Sequence, residues 1–276
     1  MVAAARAIET NHPHGLIRDE FAEQFVRSAR TSSVLPTHIE DVELGDDDPV
    51  WGRGGRYFAL RTRVFDDFLT EAAQSAPQIV LMGAGLDARA FRLSWPAHTK
   101  FYEIDREDVF TFKAKVLAGL GAETGFEHRL LVADLASDWD RVLLDAGFDP
   151  ATPTAWVAEG LLPYLPAAVE EKLVRTVDAL SAPGSHLGFE ILLGQEAAQV
   201  REHSLYETTA AKTGSHLASL FDTDPRPDSV GALRAAGWAM TSSPVAEFTA
   251  HYGRGPAPEV QDPIQQSRWV LGYKGA

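Results

Sequence analysis

Two glycines and three carboxylates are spaced in this chain in the way a nucleoside pocket requires. Gly83 and Gly85 follow the apolar run Ile79, Val80, Leu81, Met82, and Asp105 closes the next apolar run, Phe101 to Ile104. Glycine has no Cβ, so backbone at such a turn can approach a ligand closely. A carboxylate about 20 residues further on, at the tip of the adjoining parallel strand, stands where a doubly wound sheet reads ribose hydroxyls. Asp134 and Glu159 end two further apolar runs. One acid at a strand end is commonly a helix cap or a solvated turn. Three acids after successive strands define one carboxyl edge, the edge where such sheets bind ligands.

Two cofactor chemistries compete for that edge. Gly83-Ala84-Gly85-Leu86-Asp87-Ala88 fits the loose dinucleotide pattern of a nicotinamide oxidoreductase. Asp87 argues against it, because a fixed negative charge in the turn would repel a pyrophosphate at the helix N-terminus. The chain also has no Tyr-x-x-x-Lys pair to supply the acid of a short-chain dehydrogenase. S-adenosyl-L-methionine carries no phosphate, and its positive sulfonium tolerates acidic neighbours. On this reading Asp105 takes the ribose, Asp134 the adenine amino group, and Glu159 lies toward the methionine portion.

The elements that must position these residues follow from periodicity. Apolar residues at helical spacing predict a helix over Leu16–Arg30 and another over Arg56–Ala73, separated by an acid- and glycine-rich loop, Gly45–Gly55. Pro77 ends the second helix. Strands are then expected at Gln78–Gly83, Lys100–Ile104, Arg129–Ala133, Thr154–Ala158 and Ser185–Leu192, alternating with helices at Asp87–Leu93, Glu107–Leu120, Asp138–Ala146 and Ala167–Leu180. Alternation of buried strands and helices demands a mostly parallel, doubly wound α/β sheet with right-handed crossovers. Residues 194–227 break the pattern and read as a helical insertion with a Pro/Asp-rich exit, DTDPRPD. A helix at Ser229–Ala236 and strands at Ala239–Phe248 and Ser267–Tyr273 complete a seven-stranded sheet. We expect one domain over 1–276: a helical N-terminal cap (1–75), a cofactor-binding core (76–193), a helical lid (194–227) and the rest of the sheet (228–276).

Composition narrows the partners. With 25 Lys+Arg against 39 Asp+Glu, the net charge of −14 disfavours nucleic acid, whose affinity rests on phosphate neutralisation. No window approaches the roughly 18 apolar residues of a membrane span, and the N-terminal MVAAARAIETNHPHG carries charge within its short apolar run, so no signal peptide is expected. The absence of cysteine excludes disulfides, thiolate metal sites and cysteine nucleophiles, and suits a cytoplasmic protein. His12 and His14 have no partners at metal-ligand spacing, so no metal is expected. Oligomeric state is not legible.

Taken together, GAGLDARAFRLSWP, FYEID, VADLASDWD and AWVAEGLLPYLP resemble the leucine carboxyl methyltransferase-like family of S-adenosylmethionine-dependent O-methyltransferases, in particular its actinobacterial and polyketide branch. The likeness runs from about Ala3 to Glu190. It implies a class I, Rossmann-like methyltransferase fold, and it implies site residues. Arg61, in RTRVFDD, resembles the arginine that grips the cofactor's methionine carboxylate. Gly83, Ala84, Gly85 and Asp87 resemble the cofactor turn, Asp105 the ribose acid, Asp134 with Leu135 the adenine contact, and Glu159 the cofactor-side glutamate. Pro163 departs from the aliphatic residue common in its loop.

On the acceptor side the candidates are Tyr164, in the loop after Glu159, and His203 and Tyr206, four and seven positions from Gln199 and so on one face of a helix. The expected reaction is methyl ester formation on a carboxyl group of a small natural product or peptide-like acceptor. The alternative within the fold is methylation of a phenolic or enolic hydroxyl of a polyketide. A carboxylate is already ionised at neutral pH and needs no general base, whereas a phenol with pKa near 10 benefits from one.

Overall fold

The structure, a computed structural model, describes residues 1–29, 34–259 and 262–275. In chain order, α1 (Val2–Asn11) and α2 (Glu20–Ser28) lead through short helical turns at Ile39–Asp41, Gly45–Asp47 and Pro49–Arg53 to the long α3 (Gly54–Ala72). Then come β1 (Gln78–Met82), α4 (Arg89–Arg92), β2 (Lys100–Asp105), α5 (Glu107–Gly119), β3 (Glu127–Val132), α6 (Trp139–Asp145), β4 (Thr154–Ala158), a turn at Leu162–Tyr164, α7 (Ala167–Ala179) and β5 (His186–Leu192). The remainder is α8 (Ala198–Arg201), α9 (Ser204–Thr213), a turn at Leu217–Leu220, α10 (Ser229–Ala235), β6 (Trp238–Pro244), α11 (Val245–Tyr252), α12 (Pro263–Gln266) and β7 (Ser267–Lys274).

The sheet has seven strands in the order β3-β2-β1-β4-β5-β7-β6. The expected α/β, doubly wound architecture is therefore present. β1 pairs in parallel with β2 and β4, β2 with β3, and β4 with β5. β7 runs against β5: Gly184 N donates to Lys274 O at one end, and Leu193 N to Gln266 O at the other. The order reverses at β1, which makes the rim beyond β1 the topological switch point where such sheets hold ligands.

By contact density the chain divides into two compact units, Met1–Val64, Leu192–Thr223 and Ser243–Arg268 forming the first, and Phe65–Ile191, Asp224–Ser242 and Trp269–Ala276 the second. The second holds most of the sheet. Val80, Met82, Tyr102, Ile104, Trp156 and Ala158 are buried in one apolar cluster with Trp139, Leu143, Leu173 and Val177 of the covering helices. The first has a smaller apolar cluster of Ala4, Ile8, Val42, Val50 and Trp51. It is tied further by ion pairs between separate segments, each on a buried carboxylate: Arg6–Asp19 at 2.9 Å, Arg254–Glu9 at 3.0 Å, Arg53–Asp262 and Lys212–Asp48. Burial alone would raise the Asp48 carboxyl, but Lys212 and the amides of Trp51 and Val50 hold it below the ordinary range.

Several expected boundaries move, for local reasons. The helix predicted from Leu16 starts at Glu20, because Asp19 Oδ1 caps the amides of Phe21 and Ala22; the predicted end, Arg30, lies outside the described residues. The strand predicted over Ala239–Phe248 stops at Pro244, and Val245–Tyr252 is helix α11. Pro244 has no N–H for the ladder and suits the residue before a helix. The insertion is two helices, α8 and α9, and not one.

Candidate cofactor-binding site

Register brings the predicted acids into line. Met82 is opposite Ile104, so the chain beyond β1 runs beside Asp105, and the amides of Gly83 and Ala84 both donate to Ile104 O, at 2.9 and 3.1 Å. Asp105 is opposite Val132, and Ala133 N donates to Asp105 O at 3.0 Å, with Asp134 next along. Leu81 is opposite Val157, which puts Glu159 beside Gly83. Asp134, Asp105, Gly83 and Glu159 thus stand in a row across four adjacent strand tips.

Gly83 and Gly85 both have positive φ, 66° and 52°, a region costly for residues with a Cβ. Their surroundings differ. A Cβ on Gly83 would stand 2.9 Å from Leu161 Cδ1, whereas one on Gly85 would meet nothing closer than Gly83 O at 4.0 Å. Gly83 is thus demanded by internal packing as well, and Gly85 leaves open space above the backbone. Asp105 is aimed from beneath: its Oδ2 accepts from Gly85 N at 2.6 Å and its Oδ1 from Arg106 N at 2.7 Å. Each oxygen keeps acceptor capacity for a further donor. An open glycine turn beside a carboxylate fixed by two amides fits the ribose of an adenosyl cofactor.

Asp134 is exposed, with Oδ1 accepting from Ala136 N at 2.9 Å, so its carboxylate is turned at the strand tip. Leu135, 8% exposed, is part of the apolar cluster below. Ala84 is buried.

Asp87 and Glu159 hold a partner that sequence reasoning missed. Arg89, 1% exposed, donates through Nε to Asp66 Oδ1 at 2.6 Å, pairs with Asp87 Oδ2, and lies 2.8 Å from Glu159 Oε2. Arg92 adds two 2.6 Å bonds to Asp66. Burial disfavours the Arg89 cation, but Asp87, Glu159 and Asp66 overcome that and raise its pKa well above the ordinary value. Asp87 is consequently an ion-paired carboxylate, within a cluster of three acids and two arginines. The local signal was the pair Asp87-x-Arg89 directly behind the glycine turn.

The remaining candidates occupy different settings. Arg61 is buried on α3, its guanidinium 5.1 Å from the Phe58 ring centroid and 5.8 Å from that of Tyr57. Tyr164 ends the turn after β4 and is 37% exposed. His203 is the N-cap of α9, its Nδ1 accepting from Leu205 N at 3.2 Å, and Tyr206 meets Phe221 edge-on at 5.5 Å. Gln199 belongs to α8, so the single helical face expected for Gln199, His203 and Tyr206 does not form.

Comparison with known proteins agrees with the geometry. Residues 1–178 match the model of the leucine carboxyl methyltransferase family. A Streptomyces coelicolor protein assigned as an S-adenosyl-L-methionine-dependent methyltransferase is 48% identical over 273 residues, covering 98% of this chain and 90% of the relative. A Mycobacterium ulcerans protein of the same assignment is 41% identical, covering 93% and 84%. The fold is shared with a crystal structure of a Thermobifida fusca protein assigned as a methyltransferase, at a TM-score of 0.55 and 17% identity over 99% of this chain and 94% of that one. A nicotinamide-dependent oxidoreductase finds no support among these.

Proposed function

We infer the reaction from one premise: the chain belongs to the leucine carboxyl methyltransferase family and is an S-adenosyl-L-methionine-dependent methyltransferase. The transfer we propose is to a carboxylate oxygen of a small natural product or peptide-like acceptor, giving a methyl ester, in the cytoplasm. The cofactor supplies an electrophilic methyl group on a positive sulfur. In this reading Gly85 admits the adenosyl portion, Asp105 accepts from the ribose hydroxyls, Asp134 and Leu135 bound the adenine, and Glu159 and Arg61 serve the methionine end. Tyr164, His203 and Tyr206 are assigned to the acceptor side.

What carries the carboxylate reading is the family match, whose description names a carboxyl group as the methylated one. A phenol needs a base to lose its proton. A carboxylate is ionised already, so a donor that orients it is sufficient.

Incubation with methyl-labelled S-adenosylmethionine and a panel of carboxylic acids and phenols tests it. Label released as methanol by mild alkali is the expected result. Alkali-stable label on a phenol or enol would replace the ester by an ether.

A further inference from the structure

The Pro/Asp-rich segment Asp222–Asp228, which the reaction leaves without a role, contains an arginine that grips the loop beside the glycine turn. Arg226 sits between Pro225 and Pro227, whose fixed φ angles stiffen the segment. Its NH1 donates to Leu165 O at 2.9 Å, and its NH2 to Leu162 O at 3.0 Å and to Glu170 Oε2. Glu170 is 3% exposed, and its other oxygen accepts from Ser229 Oγ at 2.5 Å. One guanidinium fork therefore spans both ends of the turn that follows Glu159, a geometry a flexible ammonium cannot reproduce. The gripped loop begins at Leu161, whose Cδ1 lies 2.9 Å from where a Gly83 Cβ would stand.

We propose that Arg226 is a positioning residue for cofactor binding: by clamping Leu162 and Leu165 it seats Leu161 on Gly83 and so fixes the glycine turn. Arg226 lies beyond residues 1–178, the part matched by the family model. The inference rests on the placement of the cofactor at Gly83–Gly85.

The test is a double-mutant cycle read by calorimetry with S-adenosylhomocysteine on the full chain. If the parent does not bind, the cofactor placement fails and the inference with it. With binding established, Arg226→Met and Leu161→Ala are each expected to weaken affinity about tenfold, and the double variant no more than the worse single one, because residues coupled through one loop are non-additive. Arg226→Lys, keeping one carbonyl contact, should recover part of the loss. The amides of Tyr164 and Leu165, bonded to Leu161 O and Leu162 O, should exchange faster in Arg226→Met. Should Arg226→Met not fold, Glu170→Gln replaces it in the cycle, with a loss of about threefold expected from weakening one charged bond. Additive losses, or affinity within twofold of the parent in every variant, would overturn the proposal while leaving the cofactor site intact.

Discussion

Strand β2 carries two acids two residues apart, Glu103 and Asp105, which therefore share a face of the sheet, and their settings could hardly differ more. Glu103 is fully buried, paired with the equally buried Lys113 of α5 and 2.9 Å from His128 Nε2 on β3. It is closed in by the ladder, opposite Leu81 and Leu130. Asp105 ends the ladder, half-buried, with the Gly85 amide on one oxygen and open space over that glycine. The same contrast separates Glu103 from the Arg89 cluster, which is as buried but gathers α3, the glycine turn and the tip of β4. Burial and pairing mark what a fold must neutralise. A place past the last ladder pair, next to a glycine with positive φ, marks where a ligand can be met.

The sharpest way to break that comparison is to remove the cation from each cluster. Lys113→Met leaves Glu103 buried without its ammonium and should cost about 3–5 kcal/mol, measured by urea unfolding. Its S-adenosylhomocysteine affinity, measured on folded protein, should stay at the parent value. Arg89→Met should lose at least as much stability, since three carboxylates lose their common partner, and should weaken the ligand as well. Equal effects of the two variants on affinity would show that position at the rim carries no special meaning.

Next in size are Asp105→Ala and Arg61→Ala. Each is expected to weaken S-adenosylhomocysteine tenfold or more, as a charged hydrogen bond contributes about 1.5–3 kcal/mol. Asp105→Ala should shift the urea midpoint far less than Lys113→Met. Unchanged affinity in both would move the cofactor away from this rim.

How much of this was legible depended on sequence distance. β4 was bounded correctly because Thr154–Ala158 is a short apolar run between clear turn signals, and the Gly83, Asp105 and Glu159 tips followed from counting strands. Arg89 was hidden because its partner Asp66 is 23 residues away on a different element. Arg226 was hidden more deeply, with partners 56 to 64 residues away. The helix Val2–Asn11 was legible only as part of a helical cap over 1–75, because its alanine-rich run has few bulky apolar residues to mark a period. The shared face of Gln199, His203 and Tyr206 fails because their spacing presumes one helix, whereas Gln199 is on α8 and His203 caps α9.

Smaller effects separate the open from the packed side of β2. Gly85→Ala must place alanine at φ 52°, a strain of about 1–2 kcal/mol, with no clash to add. Its affinity loss should exceed its stability loss, because the new methyl enters the space above the turn. Tyr102, next to Glu103 in sequence and part of the apolar cluster, points to the other face, fully buried, with no hydrogen-bond partner for its hydroxyl among the described residues. Burial, with Glu127 adding repulsion, pushes its pKa up to about 12. A raised folded-state pKa means the unfolded chain ionises first, at about 10. The stability from keeping Tyr102 neutral is complete below that pH and is lost as pH climbs through about 12. Tyr102→Phe should therefore change stability at pH 7 by no more than about 1 kcal/mol. It should flatten the part of the alkaline fall in urea midpoints that lies between pH about 10 and about 12, the free and folded-state values. A parent and variant with parallel alkaline profiles would mean the hydroxyl reaches water, and the packed side of β2 is looser than its burial indicates.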